Sequence, residues 1–432
     1  MRLGGGPRAV PIQGAELPVR GAEAAGEGGG DDRWRACGHE GGRDHGIGSG
    51  RVKAILVLED GTIFEGESIG QAGQALGEVV FDTAMVGYQQ ALTDPSLRGQ
   101  ILTLTYPLIG NYGTNDEDYE SPRCQVAGLV VKELCEVPSN FRCEESLDEF
   151  LKRHGVVAIS GVDTRALTRR LRTAGVMMGA ISTDETREQA LARIKASPAY
   201  SEIDLVQQVS TQTPYEWEPG QKPGTAQARI AFEDRLRIVA LDYGMRASIL
   251  RNLYELGCRP IVMPCKASAE DVLEEKPDGV VLSPGPGDPS RLGYAMDTVR
   301  GLLGKVPIFG ICLGNHMLTH ALGGRTFKLK FGHRGGNHPV RDLTTGRVRI
   351  TSQNHGYAAD PATLEGSGAT VSQINLNDET VEGLEAPGLR AFSIQYHAEA
   401  SPGPLDSKGI FKQFVERIRE PERWSEIVPE VY

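Results

Sequence analysis

Uninterrupted apolar runs alternate with amphipathic segments in the second half of the chain. The apolar runs, which predict β-strands, cover residues 237–243, 260–264, 279–282 and 306–311. The amphipathic segments, which predict α-helices, cover residues 246–256, 268–275, 294–303 and 315–322. Strands that are apolar on both faces, with helices between them, are typical of a parallel sheet covered by helices. We therefore expect an α/β domain over residues 236–420 with a mostly parallel sheet.

The preceding part of the chain shows a different mixture of elements. The dipeptide Asp60-Gly61 is a strong turn signal, so the residues around it predict a β-hairpin at 54–67. Further strands are predicted at residues 78–82, 100–105, 125–131, 156–160 and 176–182. Polar N-cap signals that predict helices stand at Ser146 with Glu149, at Asp163, and at Thr183 or Asp184. These elements indicate an α+β domain over residues 52–205.

Two segments lack any apolar periodicity. Residues 1–51 are rich in glycine and charge, which predicts a disordered extension without the apolar core of a secretory signal. They are also too acidic for an organelle transit peptide. Because a globular pattern begins abruptly at Val52, we expect that residue to be the working start of the protein. Residues 206–235 are punctuated by proline and glycine, which predicts a linker.

Charge and cysteine content narrow the class of protein. The formal net charge of −11 over 432 residues argues against non-specific binding to nucleic acid or to an anionic membrane. No apolar run approaches the roughly 20 residues that span a bilayer. The seven cysteines show neither Cys-x-x-Cys pairs nor zinc-site spacing. We interpret them as reduced thiols of a cytoplasmic protein, and we expect no metal site.

Cys312 is the main candidate for chemistry. It stands between Gly310 and Gly314, where a predicted strand turns into a predicted helix. A nucleophile on such a turn needs neighbours without a Cβ, and a helix N-terminus favours the thiolate. A buried structural cysteine at the end of a core strand explains the same pattern equally well.

Two further motifs fall near the ends of predicted strands. The loop from Ser283 to Pro289 alternates proline and glycine, and His397 is followed two residues later by Glu399. Alone, the first is a plain turn and the second a surface pair. A base and the carboxylate that orients it, together with a thiol, form the set of groups required for acyl transfer through a thioester. Ligands gather at the carboxyl ends of parallel strands, which favours the combined interpretation.

These motifs resemble those of class I glutamine amidotransferases over residues 236–415. Over residues 52–415, the sequence is similar to the small, glutamine-hydrolysing chain of carbamoyl-phosphate synthases. The stretches that carry this second resemblance are residues 53–61, 81–88, 92–96, 104–111, 161–165 and 331–339.

The resemblance implies a role for individual residues. Cys312 would attack the side-chain amide of glutamine, His397 would relay the proton to ammonia, and Glu399 would orient His397. The backbone N–H groups of Gly285 and Leu313 would form an oxyanion hole. The residues that match glutamine-binding positions are Ser96, Gly287, His316, Asn354, Gly356 and Tyr357.

The resemblance also implies the partners. Ammonia would pass to a separate large chain that uses ATP and bicarbonate, and this chain would need no cofactor. An amidotransferase of another pathway, such as anthranilate or GMP synthesis, is the nearest alternative, and the 52–205 domain argues against it. An alternative of another class is a regulatory subunit without glutaminase activity.

Four positions depart from the family pattern. Asn315 and His316 replace the usual His-Gln, Arg246 replaces a lysine, and Ala398 replaces a proline. An imidazole offers fewer hydrogen-bond donors than an amide. We therefore expect these changes to affect glutamine affinity more than the type of reaction.

Overall fold

The β-hairpin predicted around Asp60-Gly61 opens the N-terminal domain. The computed structural model describes residues 52–220 and 235–424, so the predicted extension 1–51 and residues 221–234 of the predicted linker lie outside the described residues. The strands of this domain are β1 Lys53–Leu58, β2 Ile63–Gly70, β3 Gln74–Asp82, β4 Gln100–Leu104, β5 Leu108–Ile109, β6 Gly128–Val130, β7 Glu133–Leu134, β8 Val157–Ser160 and β9 Met177–Ser182. Its helices are α1 Tyr88–Leu92, α2 Leu147–Arg153, α3 Thr164–Ala174, α4 Arg187–Ala196 and α5 Val206–Val209.

Seven of these strands form a closed barrel in the order β1-β2-β8-β6-β4-β3-β9. The barrel is mixed, because β3, β4, β6 and β8 pair in parallel and the other neighbours are antiparallel. The predicted α+β domain is confirmed in that helices and strands are combined, but the closure of the strands into a mixed barrel was not predicted. Closure of the barrel depends on the pairing of β1 with β9, for example of Leu56 with Ile181. Local sequence patterns do not encode such a pairing between distant strands. Leu56, Ile101 and Ile159 are fully buried in the barrel core.

The helix caps of this domain were predicted with mixed success. Ser146 and Glu149 form the predicted capping box of α2, and Asp163 accepts from the Ala166 N–H at the start of α3. The third predicted start is wrong. The hydroxyl of Ser182 accepts from the N–H groups of Asp184 and Glu185 in a turn, so α4 begins only at Arg187, capped by Thr186.

The C-terminal domain is built on one large sheet. Its strands are β10 Tyr215–Glu216, β11 Leu236–Asp242, β12 Cys258–Pro264, β13 Gly279–Leu282, β14 Ile308–Ile311, β15 Arg325–Asp342, β16 Val348–Asp360, β17 Thr370–Asn375, β18 Val381–Ala386 and β19 Ala391–Ile394. Its helices are α6 Ala247–Glu255, α7 Ala269–Glu274, α8 Gly293–Leu302, α9 Leu313–Ala321 and α10 Gly409–Arg419.

The prediction of a mostly parallel sheet is wrong for half of this domain. The ten strands run in the order β10-β12-β11-β13-β14-β19-β18-β17-β15-β16, and only β12, β11, β13, β14 and β19 pair in parallel. Residues 325–386 form antiparallel pairs instead. The connections from β15 to β16 and from β17 to β18 are short and lack a crossover helix, so these pairs are antiparallel.

The predicted linker contains ordered elements. Helix α5 lies within residues 206–235, and β10 pairs with β12 through Tyr215 opposite Val262. The start of this segment therefore belongs to the edge of the C-terminal sheet. Across the two described ranges, no helix is both long and apolar enough to cross a membrane.

Three adjacent parallel strands position the candidate site. Leu282 of β13 lies opposite Gly310 of β14, and Ile311 lies opposite Ile394 of β19. The rings of Phe309 and Phe392 stack at 4.6 Å between centroids and fix β14 against β19. The chain segments that follow these strands therefore leave the sheet at the same edge, as predicted for parallel strands.

Candidate active site

Cys312 occupies a sharp turn between β14 and α9. Its backbone has φ 55° and ψ −102°, which is unusual for a residue with a side chain. A Cβ on Gly310 would lie 2.6 Å from the Gly314 oxygen, and a Cβ on Gly314 would lie 2.3 Å from the Leu282 oxygen. Only glycine fits at either position, so the structure explains why two glycines flank the cysteine.

His397 and Glu399 meet as the sequence predicted. His397 Nδ1 lies 2.7 Å from Glu399 Oε1. Arg246 Nη1 lies 2.8 Å from the same oxygen and 3.0 Å from Nδ1. A guanidinium only donates and a carboxylate only accepts, so Glu399 accepts from both groups and the Nδ1 atom of His397 carries a proton. Nε2 of His397 has no hydrogen-bond partner within residues 52–220 and 235–424 and is left for proton transfer.

Electrostatic interactions make this pair strongly ionic. Burial alone would lower the pKa of His397, but the Glu399 carboxylate and the Cys312 thiol together raise it to about 10. Burial alone would raise the pKa of Glu399, whereas His397 and Arg246 lower it to about 2. The site therefore favours an imidazolium beside a carboxylate at neutral pH.

The two predicted oxyanion-hole residues, Gly285 and Leu313, line the same cavity as Cys312. Leu313 is the first residue of α9, so its N–H has no carbonyl partner within the helix. Gly285 packs against Leu313, since a Cβ on Gly285 would lie 2.6 Å from Leu313 Cδ2 and 2.3 Å from the Tyr243 oxygen. This close approach brings the two predicted oxyanion-hole residues together next to Cys312.

One narrow cavity brings the predicted binding residues together. The predicted residues that line it are Ser96, Gly285, Gly287, Cys312, Leu313, His316, Asn354, Gly356 and Tyr357. Ser96 comes from the barrel domain, and its buried hydroxyl has no hydrogen-bond partner in the described structure. Cys312 Sγ lies 3.8 Å from the carbonyl oxygen of Asn354. His397 and Glu399 approach the thiol from outside this set of lining residues.

The two residues that depart from the family pattern after Cys312 have different environments. Asn315 is completely buried, where it donates to Gln395 and accepts from Ser393. Its side chain therefore ties α9 to β19. His316 lines the cavity, and burial lowers its pKa to about 3, so its ring is neutral. The Nε2 atom of His316 has no hydrogen-bond partner among the described residues and is left for a ligand.

The sequence analysis did not identify several polar residues that line or border the cavity. Glu78 of β3 accepts from Gln100 at 2.9 Å and pairs with Lys328 at 2.7 Å, which joins the two domains. The hydroxyl of Tyr200 accepts from the Gly287 N–H at 3.3 Å. Arg334 also lines the cavity, and burial lowers its pKa. Arg334 lies within the stretch 331–339 that carried the resemblance, whereas nothing local marks Glu78 or Tyr200.

Arg246 connects His397 and Glu399 to the barrel domain. In addition to Glu399, it lies 3.5 Å from Glu120 and 3.8 Å from Asp94. It also donates to the carbonyl oxygen of Ser401. Asp94 lies two residues before Ser96 in a stretch that carried the resemblance, but no sequence signal marks Glu120.

A second, larger cavity of about 440 Å³ is lined by His397. Arg246, His397 and Asn354 line it from within, and the apolar residues Met85 and Val86 line it towards the surface. Met85 is 68% exposed and Val86 is 62% exposed. The cavity therefore connects His397 to an apolar rim at the surface.

One group of side chains in the described part has the composition of a metal site. Ligand atoms of His333, His355 and Glu382 lie within 4.8 Å of one another. Both nitrogens of His355 already have partners, the Tyr357 carbonyl and Gln353. Glu382 accepts from Gln353 and Asn375. These contacts describe a closed hydrogen-bond network behind the strand that carries Asn354, and the absence of a metal stays a prediction.

Two family models match the chain. The model for the carbamoyl-phosphate synthase small chain, CPSase domain, matches residues 56–181. The model for glutamine amidotransferase class-I matches residues 239–417. The first match covers most of the barrel, and the second covers the sheet with Cys312, His397 and Glu399.

Full-length relatives carry the same pair of domains. The carbamoyl phosphate synthase small chain of Syntrophotalea carbinolica is 49% identical over 373 residues, which are 85% of this chain and 98% of the relative. The pyrimidine-specific small chain of Bacillus subtilis is 48% identical over 378 residues, 87% of this chain and 99% of the relative. The chloroplastic small chain of Oryza sativa is 46% identical over 367 residues, 85% of this chain and 82% of the relative.

Proposed function

We propose that this chain, which belongs to the carbamoyl-phosphate synthase small-chain family, hydrolyses glutamine through Cys312, His397 and Glu399. Its activity is that of the glutaminase subunit of carbamoyl-phosphate synthase. The ammonia it releases serves carbamoyl phosphate synthesis, which supplies arginine and pyrimidine biosynthesis.

A group of the site can be assigned to each catalytic step. The thiolate of Cys312 attacks the side-chain amide carbon of glutamine, and Gly285 and Leu313 stabilise the oxyanion through their N–H groups. The imidazolium of His397 gives the Nε2 proton to the leaving nitrogen, so ammonia departs and a thioester remains. Water then attacks the thioester, His397 takes its proton, and glutamate leaves, which regenerates the thiolate beside the imidazolium. Glu399 holds the Nδ1 proton throughout, which fixes the ring orientation.

Glutamine recognition uses both domains. Ser96, Gly287, His316, Asn354, Gly356 and Tyr357 are the proposed binding residues, and their common cavity with Cys312 supports this assignment. The unpartnered hydroxyl of Ser96 is the contribution of the barrel. An unpartnered buried hydroxyl is costly, so a bound ligand that bonds to it gains affinity.

A small chain implies a large partner chain. We propose that the large chain receives the ammonia and uses ATP and bicarbonate, and that this chain carries no cofactor or metal. The 440 Å³ cavity beside His397 supports an exit route towards the partner, because it begins at the group that protonates the leaving nitrogen.

The remaining proposals concern the cellular location of the chain and the molecules that it does not bind. We place the chain in the cytoplasm, without a role at nucleic acid or membranes. The net charge of −11 supports the exclusion of polyanionic partners. Reduced cysteines support the compartment, since no disulfide joins the described cysteines.

The observation that carries the mechanism is the thiol at a strained strand-to-helix turn beside a His–Glu pair. The test is glutamate release by the purified chain and by Cys312→Ala, with and without the large chain. We expect hydrolysis to require Cys312 and to rise when the large chain is added. Hydrolysis that survives Cys312→Ala would contradict the mechanism. A folded wild-type chain without activity in either setting would favour a regulatory subunit.

A further inference from the structure

Arg246 shares one positive charge among three buried carboxylates. Its guanidinium lies 2.8 Å from Glu399. The distances to the other two are 3.5 Å for Glu120 and 3.8 Å for Asp94. The four side chains are at most 5% exposed. Two of the three carboxylates therefore reach the catalytic pair from the barrel domain.

Glu120 is held rigidly at this contact. Its Oε2 accepts from the N–H of Ser248 at 3.1 Å and from the Ser248 hydroxyl at 2.7 Å. Its carbonyl oxygen accepts from the Ala247 N–H at 2.9 Å, and its own N–H donates to Thr93 at 3.0 Å. Glu120 thus connects the barrel to the first turn of α6, directly after Arg246.

The charge of Glu120 affects how strongly Arg246 neutralises Glu399. Burial alone would lower the pKa of Arg246, but Glu120, Asp94 and Glu399 together raise it. Without Glu120, the guanidinium would interact more fully with Glu399, and that carboxylate would hold the imidazolium of His397 less tightly. Little solvent is present to screen these charges.

The other charged or titratable groups near His397 do not replace this interaction. The ring faces the thiol of Cys312 on one side and the Glu399–Arg246 pair on the other. Arg334 interacts with Cys312 from the cavity side. Of the barrel carboxylates, Asp94 is farther from Arg246 than Glu120 and also accepts from Asn354.

We propose that Glu120 of the barrel domain is a positioning residue for the glutaminase reaction, which acts on Glu399 and His397 through Arg246. The proposal rests on the proposed function of His397 as the proton carrier. It means that hydrolysis depends on how the barrel packs against the C-terminal domain. A small movement of the barrel changes the distance between Glu120 and Arg246, and therefore the state of the base.

The test compares Glu120→Gln with Ser248→Ala in the full chain combined with the large chain. Glutamine at position 120 can still accept from Ser248 but loses the charge that faces Arg246. We expect kcat to fall about tenfold with KM changed less than about twofold. We also expect the alkaline limb of the kcat profile to move to lower pH. Glu120→Asp keeps the charge but withdraws it from Arg246 by one methylene, so we expect a smaller fall in kcat and a smaller shift of the alkaline limb in the same direction.

Ser248→Ala is the matched control, because it removes the main hydrogen bond to Glu120 and leaves the charge. We expect it to keep the wild-type pH profile. The proposal is overturned if folded Glu120→Gln keeps the wild-type profile, or if Ser248→Ala shifts it equally.

If Glu120→Gln fails to fold, Glu120→Asp becomes the test of the proposal. A shift of the alkaline limb of kcat to lower pH, smaller than the shift expected for Glu120→Gln, supports the proposal. A wild-type pH profile of Glu120→Asp overturns it. Activity that survives Cys312→Ala would instead contradict the proposed function, whatever the Glu120 result.

Discussion

Gly314 allows the geometry of the nucleophile turn to be tested with one methyl group. In Gly314→Ala, the added Cβ would lie 2.3 Å from the carbonyl oxygen of Leu282 and 2.7 Å from the Leu282 Cβ. Leu282 is in β13, the central strand next to β14, so its backbone cannot rotate away. Non-bonded carbon contacts begin at about 3.5 Å, which requires helix α9 to move by roughly 1 Å.

That movement would carry the reactive groups with it. Cys312 and Leu313 begin α9, so the thiol and the oxyanion donor shift together relative to His397. A displacement of about 1 Å can cost on the order of 100-fold in rate, and we expect that loss in kcat. Overpacking should also lower the free energy of unfolding by about 1–3 kcal/mol. Glutamate release measures kcat, and urea denaturation measures stability.

Gly293→Ala is the matched control. Gly293 begins α8, and a Cβ there meets nothing within 4 Å. We expect unchanged kcat and a stability that is equal or higher by up to about 1 kcal/mol. If Gly314→Ala were folded with kcat within about threefold of wild type, α9 would have room to adjust, and the explanation of the two glycines would be refuted.

Three further changes test other parts of the site. Ser96→Ala should raise KM about tenfold with a smaller effect on kcat, and an unchanged KM would remove Ser96 from the binding set. Glu399→Gln removes the charge that keeps the pKa of His397 raised to about 10, so the ring loses its proton at lower pH. The alkaline limb of the kcat profile should therefore move to lower pH, and an unchanged pH profile would contradict this. Phe309→Ala, which empties the contact with Phe392, should destabilise the chain by about 3–5 kcal/mol in urea denaturation, and a loss below about 1 kcal/mol would mean that the core refills the space.

The parallel half of the C-terminal sheet was predictable for a physical reason. Strands buried on both faces need apolar residues at every position, so β11, β13 and β14 stand out as uninterrupted runs. The same logic found the candidate nucleophile, because Cys312 ends such a run between two glycines. The His–Glu motif was interpretable only in combination with that cysteine.

The antiparallel half lacked a comparable signal. Strand β15 spans Arg325–Asp342 and contains lysines, arginines, histidines and glycines, with exposed and buried positions intermixed. No apolar run or strict alternation marks it as a strand. Barrel closure was also invisible, since β1 and β9 are separated by more than a hundred residues and pair only in the folded chain.

The charged groups behind the base were the least predictable part, and they change the interpretation of the barrel. Glu120 lies in a loop without a motif, more than a hundred residues before Arg246, and only folding brings the two charges together. A C-terminal domain alone would leave Arg246 with Glu399 as its acidic partner in the site and would lose the Ser96 hydroxyl from the cavity. In the proposed mechanism, both the substrate pocket and the electrostatic balance of the base therefore depend on residues of the N-terminal domain. On this proposal the barrel takes part in the glutaminase reaction, in addition to any contact that it makes with the large chain.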